Sequence, residues 1–584
     1  MSQTTDTIIL GINAYHGDSS ACILLNGELI AAIEEERLRR IKHWAGFPSK
    51  AIEYCISESG VNPAKINHIS YSRDPMANLH KKAMSALMQI PNLDFIRGRL
   101  ANISKFRKGS PYISSALGVD ISHTKPRIHY VEHHKSHSAS AFLVSPFEEA
   151  AVVSIDAFGD YRSALLSTGK GSKIVPFSSV EYPHSLGLLY TAITQYLGFP
   201  YYGDEYKVMG LASYGQPVHI DELRNMITPI SNGRFKLNLK YFLHTTKGVD
   251  TTWDNCSPTV GRIYSDYMEQ RLGPARKDTQ EITQRHKDLA ASLQAVTEEI
   301  YLHVLQEAQQ ATNQKNLALA GGVAFNSVAN GKILTNTDFK DVYIQSAAGD
   351  AGTALGSASY VHNSILNNER RFVMSSSYWG PSYSDEEIKD ALIKNGIAFR
   401  ELADDDLFHT TATAISEGKI IGWFQGRVEW GPRALGNRSI LVDPRRPDMP
   451  NILNDRIKRR ENFRPFAPSI LLESTSEYFE QSYPDPFMLK VYKIKKEKQS
   501  LIPAVTHVDG TGRLQTVSKN DNQRYWSLIK AFEEITGIPV LLNTSFNENE
   551  PIVCTPNEAI ACFKRAHMDM LVAGNYIAEL NSNF

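Results

Sequence analysis

Thr7-Ile8-Ile9-Leu10-Gly11-Ile12-Asn13 is an apolar run of strand length, rich in β-branched residues, and it predicts a buried β-strand. A polar loop, Tyr15-His16-Gly17-Asp18-Ser19-Ser20, follows it. Residues 21–25 predict a second strand, Asn26-Gly27 a tight hairpin turn, and residues 28–33 a third strand. The same series returns more than a hundred residues later. Residues 151–155 predict a strand, 157–160 a loop, 163–167 a strand, Gly169-Lys170-Gly171 a turn and 173–178 another strand. A supersecondary unit used twice predicts two similar α/β lobes with a cleft between them.

Ahead of the second copy stands His133-His134-Lys135-Ser136-His137. If residues 138–142 continue a helix, His133 and His137 share one face, because a helix brings i and i+4 together. Asp156 ends the strand that follows, so its carboxylate is expected at the carboxyl end of a sheet. The apolar run 342–344 leads to Ala347-Ala348-Gly349-Asp350 and places Asp350 similarly. Two imidazoles and two carboxylates suit Fe, Mn or Zn better than Ca or Mg. The plainer reading is a surface HxxxH pair with two carboxylates capping turns.

Composition bounds the function classes. A chain of 584 residues is too long for one core and predicts about two to four domains. Apolar residues at 42% and charged ones at 21% are ordinary for a globular protein. A net charge of -1 argues against a coat for nucleic acid or membrane. Cys22, Cys55, Cys256, Cys554 and Cys562 are scattered without a CxxC, which predicts reduced thiols and a cytoplasmic location. Residues 1–6 lack a signal pattern, and no stretch reaches the ~18 apolar residues of a membrane helix.

Along the remaining chain, residues 183–197 predict a helix, and 203–207 with 210–215 a Gly-rich polar loop. Residues 280–309 predict a long helix with Leu289, Leu293, Val296, Ile300 and Val304 on its core stripe. Gly321-Gly322 after the strand 317–320 would let backbone approach a nucleotide closely, with turn chemistry as the plainer reading. Residues 367–377 are polar and read as a linker, and Ser384-Asp385-Glu386-Glu387 is a capping box opening a helix. Beyond it come Gly431-Pro432-Arg433, the basic run 445–464 and Gly510-Thr511-Gly512-Arg513. The basic run could also be a solvated face or an RNA patch, but it has few interleaved aromatics, and arginines set in Gly/Pro loops fit a compact polyanion such as a triphosphate better.

Taken together, GINAYHGDSSA, EEERLRRIKH, HHKSHSASA, SIDAFGD, GDEYKVMGLASYG, LAGGVAFNS, AAGDAGTALG, GRVEWGPRALGNRS, FRPFAPS, DGTGRLQTV and LLNTSFN resemble the O-carbamoyltransferase family. Its members include the nodulation carbamoyltransferases and those that modify tobramycin and cephamycins. The resemblance spans nearly the whole chain. It implies an α/β protein with a two-lobed actin/Hsp70/sugar-kinase-like carbamoyl-transfer domain over residues 1–370. A YrdC-like domain that forms an acyl adenylate would follow over residues 378–584.

Carried over by motif, His133, His137, Asp156 and Asp350 would hold a divalent metal, iron first. Gly321, Gly322 and Asn326 would lie at a nucleotide in the first domain. Arg433, Lys458, Arg464, Arg513, Asn543 and Ser545 would bind carbamoyl phosphate and ATP in the second, with magnesium as the companion of ATP. Carbamoyl phosphate and ATP would give carbamoyl adenylate and pyrophosphate, and the first domain would pass the carbamoyl group to an acceptor hydroxyl. His16 is the expected base, oriented by Asp18, with Lys42 facing phosphate or acceptor. The expected partner is a small-molecule hydroxyl acceptor, with no nucleic acid and no membrane, and a homodimer is compatible with the sequence. Two departures from the family pattern are Ala157, where Gly follows the metal Asp, and Ser213, where GLAPYG has Pro. A tRNA threonylcarbamoyl-type enzyme and a non-catalytic nucleotide switch use related scaffolds. The fused second domain and the EEERLRRIKH loop disfavour the first, and the complete His/Asp set disfavours the second.

Overall fold

The computed structural model describes residues 6–79, 81, 110–246, 251–252 and 255–580; the chain's first five residues lie outside these. The chain divides into two compact units. The first comprises Met1–Phe325 with Lys332–Met374, the second Asn326–Gly331 with Ser375–Phe584.

The first unit opens with β1 (Ile8–Asn13), β2 (Ser20–Leu25), β3 (Glu28–Glu34), β4 (His68–Tyr71) and β5 (Arg127–Tyr130), in the order β3-β2-β1-β4-β5. β1, β2 and β3 are antiparallel neighbours, while β4 and β5 run parallel to β1. Asn26 and Gly27 both take positive φ, 54° and 89°, which is the mirror-image turn that their sequence demands. The second copy begins with β6 (Glu149–Gly159), β7 (Arg162–Lys170) and β8 (Lys173–Glu181). Two ribbons intervene, β9 (Ile227–Ile230) with β10 (Arg234–Leu237) and β11 (Thr251–Thr252) with β12 (Thr259–Val260). β13 (Asn316–Ala320) and β14 (Asp341–Ile344) complete the sheet in the order β14-β13-β6-β7-β8. Its directions repeat those of the first sheet: β6, β7 and β8 antiparallel, β13 and β14 parallel to β6. The repeat read from local pattern is therefore a repeat of the whole five-stranded sheet.

Four local expectations change. Residues 205–212, expected as loop, form the helix Glu205–Ala212, because Val208, Leu211 and Ala212 make a buried stripe that polar neighbours and Gly210 mask. Asp156 does not end its strand: β6 continues to Gly159 through an irregular step after Ile155, while the parallel neighbour β13 stops opposite Ser154. Asp350 lies beyond β14, in the turn Asp350–Gly352 that opens the helix Thr353–Ser359. The long helix starts at Gln284, where Thr283 and His286 close a reciprocal cap.

The second unit holds β15 (Phe399–Glu401), β16 (Ile421–Phe424), β17 (Arg438–Val442), β18 (Ala467–Leu471), β19 (Lys490–Lys493), β20 (Thr511–Val517), β21 (Val540–Ser545), β22 (Met570–Ala573) and β23 (Tyr576–Glu579). They form one mixed sheet, β15-β23-β22-β16-β17-β21-β18-β20-β19. Trp423, Ile440, Leu514, Phe532, Leu541 and Phe563 are buried in its core, each worth ~1.5–3 kcal/mol of apolar burial. The helix Asp385–Lys394 begins at the Ser384–Glu387 capping box. The fold class is thus the α/β one expected, with a duplicated five-stranded sheet in the first unit and one nine-stranded mixed sheet in the second.

Candidate functional site

In the first unit the helix His133–Phe142 starts at Glu132, whose carboxylate accepts the Lys135 N–H at 2.9 Å. One helical turn then brings His133 and His137 together, with their Nε2 atoms 3.0 Å apart. Asp156 Oδ2 lies 3.1 Å from Nε2 of His133 and 3.3 Å from that of His137. Asp350 Oδ1 lies 3.5 Å and 3.4 Å from the same atoms. Metal–ligand bonds of about 2.1 Å place neighbouring ligands roughly 3.0–3.4 Å apart in octahedral or tetrahedral geometry. The N₂O₂ set therefore fits a first-row divalent ion. Asp350 Oδ1 strengthens the fit, being buried without a hydrogen-bond partner.

The outer oxygens of both carboxylates are engaged elsewhere. Asp156 Oδ1 accepts the Gly322 N–H at 3.2 Å, and Asp350 Oδ2 is hydrogen-bonded to His16 Nδ1. Each carboxylate thus turns one oxygen to the common point and is oriented by the other. Burial raises the cost of charge on Asp156, yet His133 and His137 hold it well below the usual carboxylate range. Burial lowers His137, but the neighbouring carboxylates of Asp156 and Asp350 push it up to about 9. Burial and the neighbouring His137 push His133 down.

The three catalytic candidates divide differently from expectation. His16 is oriented by Asp350. Burial lowers it, but Asp350 outweighs burial and the net shift is upward. Asp18 instead meets His43, with Oδ1 at 2.8 Å from its Nδ1. The His43 N–H donates to Glu36 Oε2 at 2.7 Å, and Asp18, Glu36 and His43 converge within ligand distance. Lys42 lies close enough to act on the charge of both Glu36 and His43. Tyr202 packs edge-on against His43, ring centroids 5.2 Å apart, and its hydroxyl abuts Gly17 between His16 and Asp18.

Gly321 has φ +97°, and a Cβ there would collide with the Ile155 carbonyl of β6. The Gly-Gly pair thereby brings the Gly322 N–H onto Asp156. Asn326 falls in the second unit, where its side chain caps the Ala329 N–H at 3.0 Å. The expected trio Gly321, Gly322 and Asn326 is therefore divided between the two units.

In the second unit Arg433, Arg460 and Arg464 lie close enough to Arg513 to act on its charge. Burial and those three guanidiniums push it well below the usual arginine range, with Asp485 opposing them. Arg433 sits in a loop drawn around Glu429, whose Oε1 accepts the N–H groups of Leu435, Asn437 and Arg438. Asn543 braces that loop from below: its Nδ2 donates to Ala434 O, Ser469 Oγ and Gln515 Oε1 at 3.1, 3.1 and 2.9 Å. The Lys458 ammonium has three protons and faces four protein oxygens: Ser545 O, Ser545 Oγ at 3.2 Å, and Asn547 O and Oδ1, both at 2.8 Å. It thus anchors the Ser545 turn, and it would reach a ligand only by releasing one of these oxygens.

Sequence reasoning did not select His43, Tyr202, Arg460 or His507. Arg460 stood in view beside Lys458 in the run Lys458-Arg459-Arg460, and His43 within the Ile41-Lys42-His43 motif. Tyr202 and His507 carry no local signal.

A duplicated α/β scaffold with a His/Asp cluster that could hold a metal ion, joined in one chain to a second α/β unit, fits a group-transfer enzyme. The chain belongs to the carbamoyltransferase family: the Carbamoyltransferase N-terminus model matches residues 8–359 and the Carbamoyltransferase C-terminus model residues 412–579. It is a carbamoyltransferase. The Uncharacterized protein sll1178 of Synechocystis sp. is 40% identical over 98% of this chain and 96% of its own. Nodulation protein NolNO of Sinorhizobium fredii is 41% identical over 97% of this chain and 79% of its own. Among solved structures, the ROK hexokinase of Thermus thermophilus aligns with 62% of this chain and 100% of its own, at 12% identity and a TM-score of 0.31, too loosely to argue from.

Proposed function

We propose that the chain is an ATP-dependent O-carbamoyltransferase that activates carbamoyl phosphate in its second unit and carbamoylates a small-molecule hydroxyl in its first. The observation that carries this reading is the convergence of Arg433, Arg460 and Arg464 on Arg513. Three guanidiniums acting on a fourth favour an anion there, and preorganised positive charge is what phosphate departure and attack at a phosphate both require. Atom balance sets the order of steps. Carbamoyl phosphate and water give carbamate and phosphate. Carbamate oxygen then attacks the α-phosphate of ATP, giving carbamoyl adenylate and pyrophosphate.

In the first unit His133, His137, Asp156 and Asp350 would hold a divalent ion, iron first by the mixed N/O donor set. When bound, such an ion supplies Lewis acidity toward a carbonyl or phosphoryl oxygen. The Gly321-Gly322 turn gives the adenylate's nucleotide a close approach to backbone. His16 Nδ1 is tied to Asp350, and in this reading the His16 imidazole takes the acceptor's hydroxyl proton. Asp18 and Lys42 act one step away, through His43 and Glu36. Free thiols at all five cysteines support a reducing, cytoplasmic setting, and among the described residues no helix is long and apolar enough to cross a membrane.

The experiment is pyrophosphate release from ATP with and without carbamoyl phosphate, followed by mass spectrometry of a panel of alcohols. Release that ignores carbamoyl phosphate would refute the reading. Carbamoylation of tRNA instead of small hydroxyl compounds would replace the acceptor class.

A further inference from the structure

The turn that precedes β20 folds His507 back on the strand. The His507 N–H donates to Thr511 O at 2.7 Å and the Gly510 N–H to His507 O at 2.9 Å. The His507 ring meets the Thr511 hydroxyl, Nδ1 to Oγ1 at 3.1 Å, and that hydroxyl donates to Asp509 Oδ1 at 2.7 Å. A hydroxyl has one proton, and the nearer carboxylate, which can only accept, takes it. Thr511 Oγ1 is then left to accept from His507 Nδ1–H. That tautomer leaves Nε2 with a bare lone pair, and Nε2 is buried without a hydrogen-bond partner.

The ring lies on the arginine side of the sheet. Alternation along β20 puts Thr511, Arg513 and Gln515 on one face, and Gln515 donates to Leu435 O in the Arg433 loop at 2.8 Å. Phe466, two residues after Arg464, turns its carbonyl toward the His507 ring and carries the Arg460 guanidinium 4.8 Å over its own. Burial and Arg513 keep the imidazole neutral, pushed down to about 4 against the pull of Asp509. Asp509, Thr511 and His507 form a relay that ends at an imidazole nitrogen on the Arg513 side of the sheet.

We propose that His507 is the base that activates water against carbamoyl phosphate in the arginine centre. The proposal rests on the second unit being the place of carbamoyl-phosphate cleavage. Water oxygen bonds to the carbonyl carbon as Nε2 takes one of its protons. The C–O bond to phosphate breaks, and its electron pair leaves with the phosphate among the arginines. The imidazolium returns its proton to that phosphate. Carbamic acid and hydrogen phosphate result, and the acid ionises to the carbamate that attacks ATP.

The test uses the full chain and two feeds: carbamoyl phosphate, or carbamate supplied by an ammonium bicarbonate solution. His507→Gln should lose carbamoyl-phosphate-driven pyrophosphate release by ~10²-fold or more, and keep carbamate-driven release within about twofold. Thr511→Val, which retains the imidazole but frees its tautomer, should lose about tenfold with carbamoyl phosphate alone. Equal loss with both feeds in variants that melt like the wild type would overturn the proposal, as would full activity of His507→Gln with carbamoyl phosphate. A wild type that responds to carbamate but not to carbamoyl phosphate overturns it as well. One that responds to neither feed overturns the reading of the second unit, and the proposal with it.

Discussion

The two polar centres are built on opposite plans. In the first unit, opposite charges converge: Asp156 and Asp350 face His133 and His137, and each carboxylate has a second partner that holds its angle. In the second, like charges gather: Arg433, Arg460 and Arg464 act on Arg513, with Asp485 pulling against them and Glu461 3.6 Å from Arg464. The first is near balance and can be assembled by its own hydrogen bonds. The second repels itself, so a scaffold must hold it: the Glu429 loop, the Asn543 brace and the Lys458 anchor. A centre of fixed positive charge suits binding and activating an anion. A balanced centre with one open carboxylate oxygen suits a cation and a proton transfer.

This contrast predicts how each centre fails. The largest effect is expected for Arg513→Ala, which removes the central guanidinium. Carbamoyl-phosphate-dependent pyrophosphate release should fall by ~10²-fold or more, while metal content, read by elemental analysis, stays at wild-type level. His137→Ala should do the reverse: metal content and carbamoylated product are lost, and pyrophosphate release persists. If both variants lose pyrophosphate release equally while folded, the division of labour between the units is wrong.

Gly321→Ala should cost ~1–3 kcal/mol of stability, because the residue has φ +97° and its Cβ would push against β6. The same displacement moves the Gly322 N–H off Asp156, so metal should leave faster under a chelator. A variant with wild-type melting and metal retention would show that the turn does not orient Asp156. The smallest effect belongs to Asp18→Asn. Asp18 serves His43 and not the His16–Asp350 pair, so carbamoyl transfer should drop by about tenfold or less with metal content unchanged. A loss as deep as that of His137→Ala would place Asp18 at the reacting atoms.

Much of this was open to reading from the chain alone, wherever neighbours in sequence are neighbours in space. Strand alternation, the Asn26-Gly27 turn, the Ser384 capping box and the His133–His137 pair each depend on a few adjacent residues. These local rules were enough to find the repeat, and with it the two-lobed scaffold. The residue types of the His/Asp cluster and of the arginine loops were legible for the same reason. What only the tertiary structure decided are the pairings between distant segments. Asp350, not Asp18, holds His16 across more than three hundred residues. Asn326 falls in the second unit, Lys458 is engaged by the Ser545 turn, and Arg460 joins the arginine centre. Asp156 and Asp350 proved to sit at a strand irregularity and a helix start instead of two strand ends. Sequence pattern encodes which face a side chain takes on its own element. Which carboxylate reaches which imidazole depends on how those elements pack, and that is set by the whole core at once.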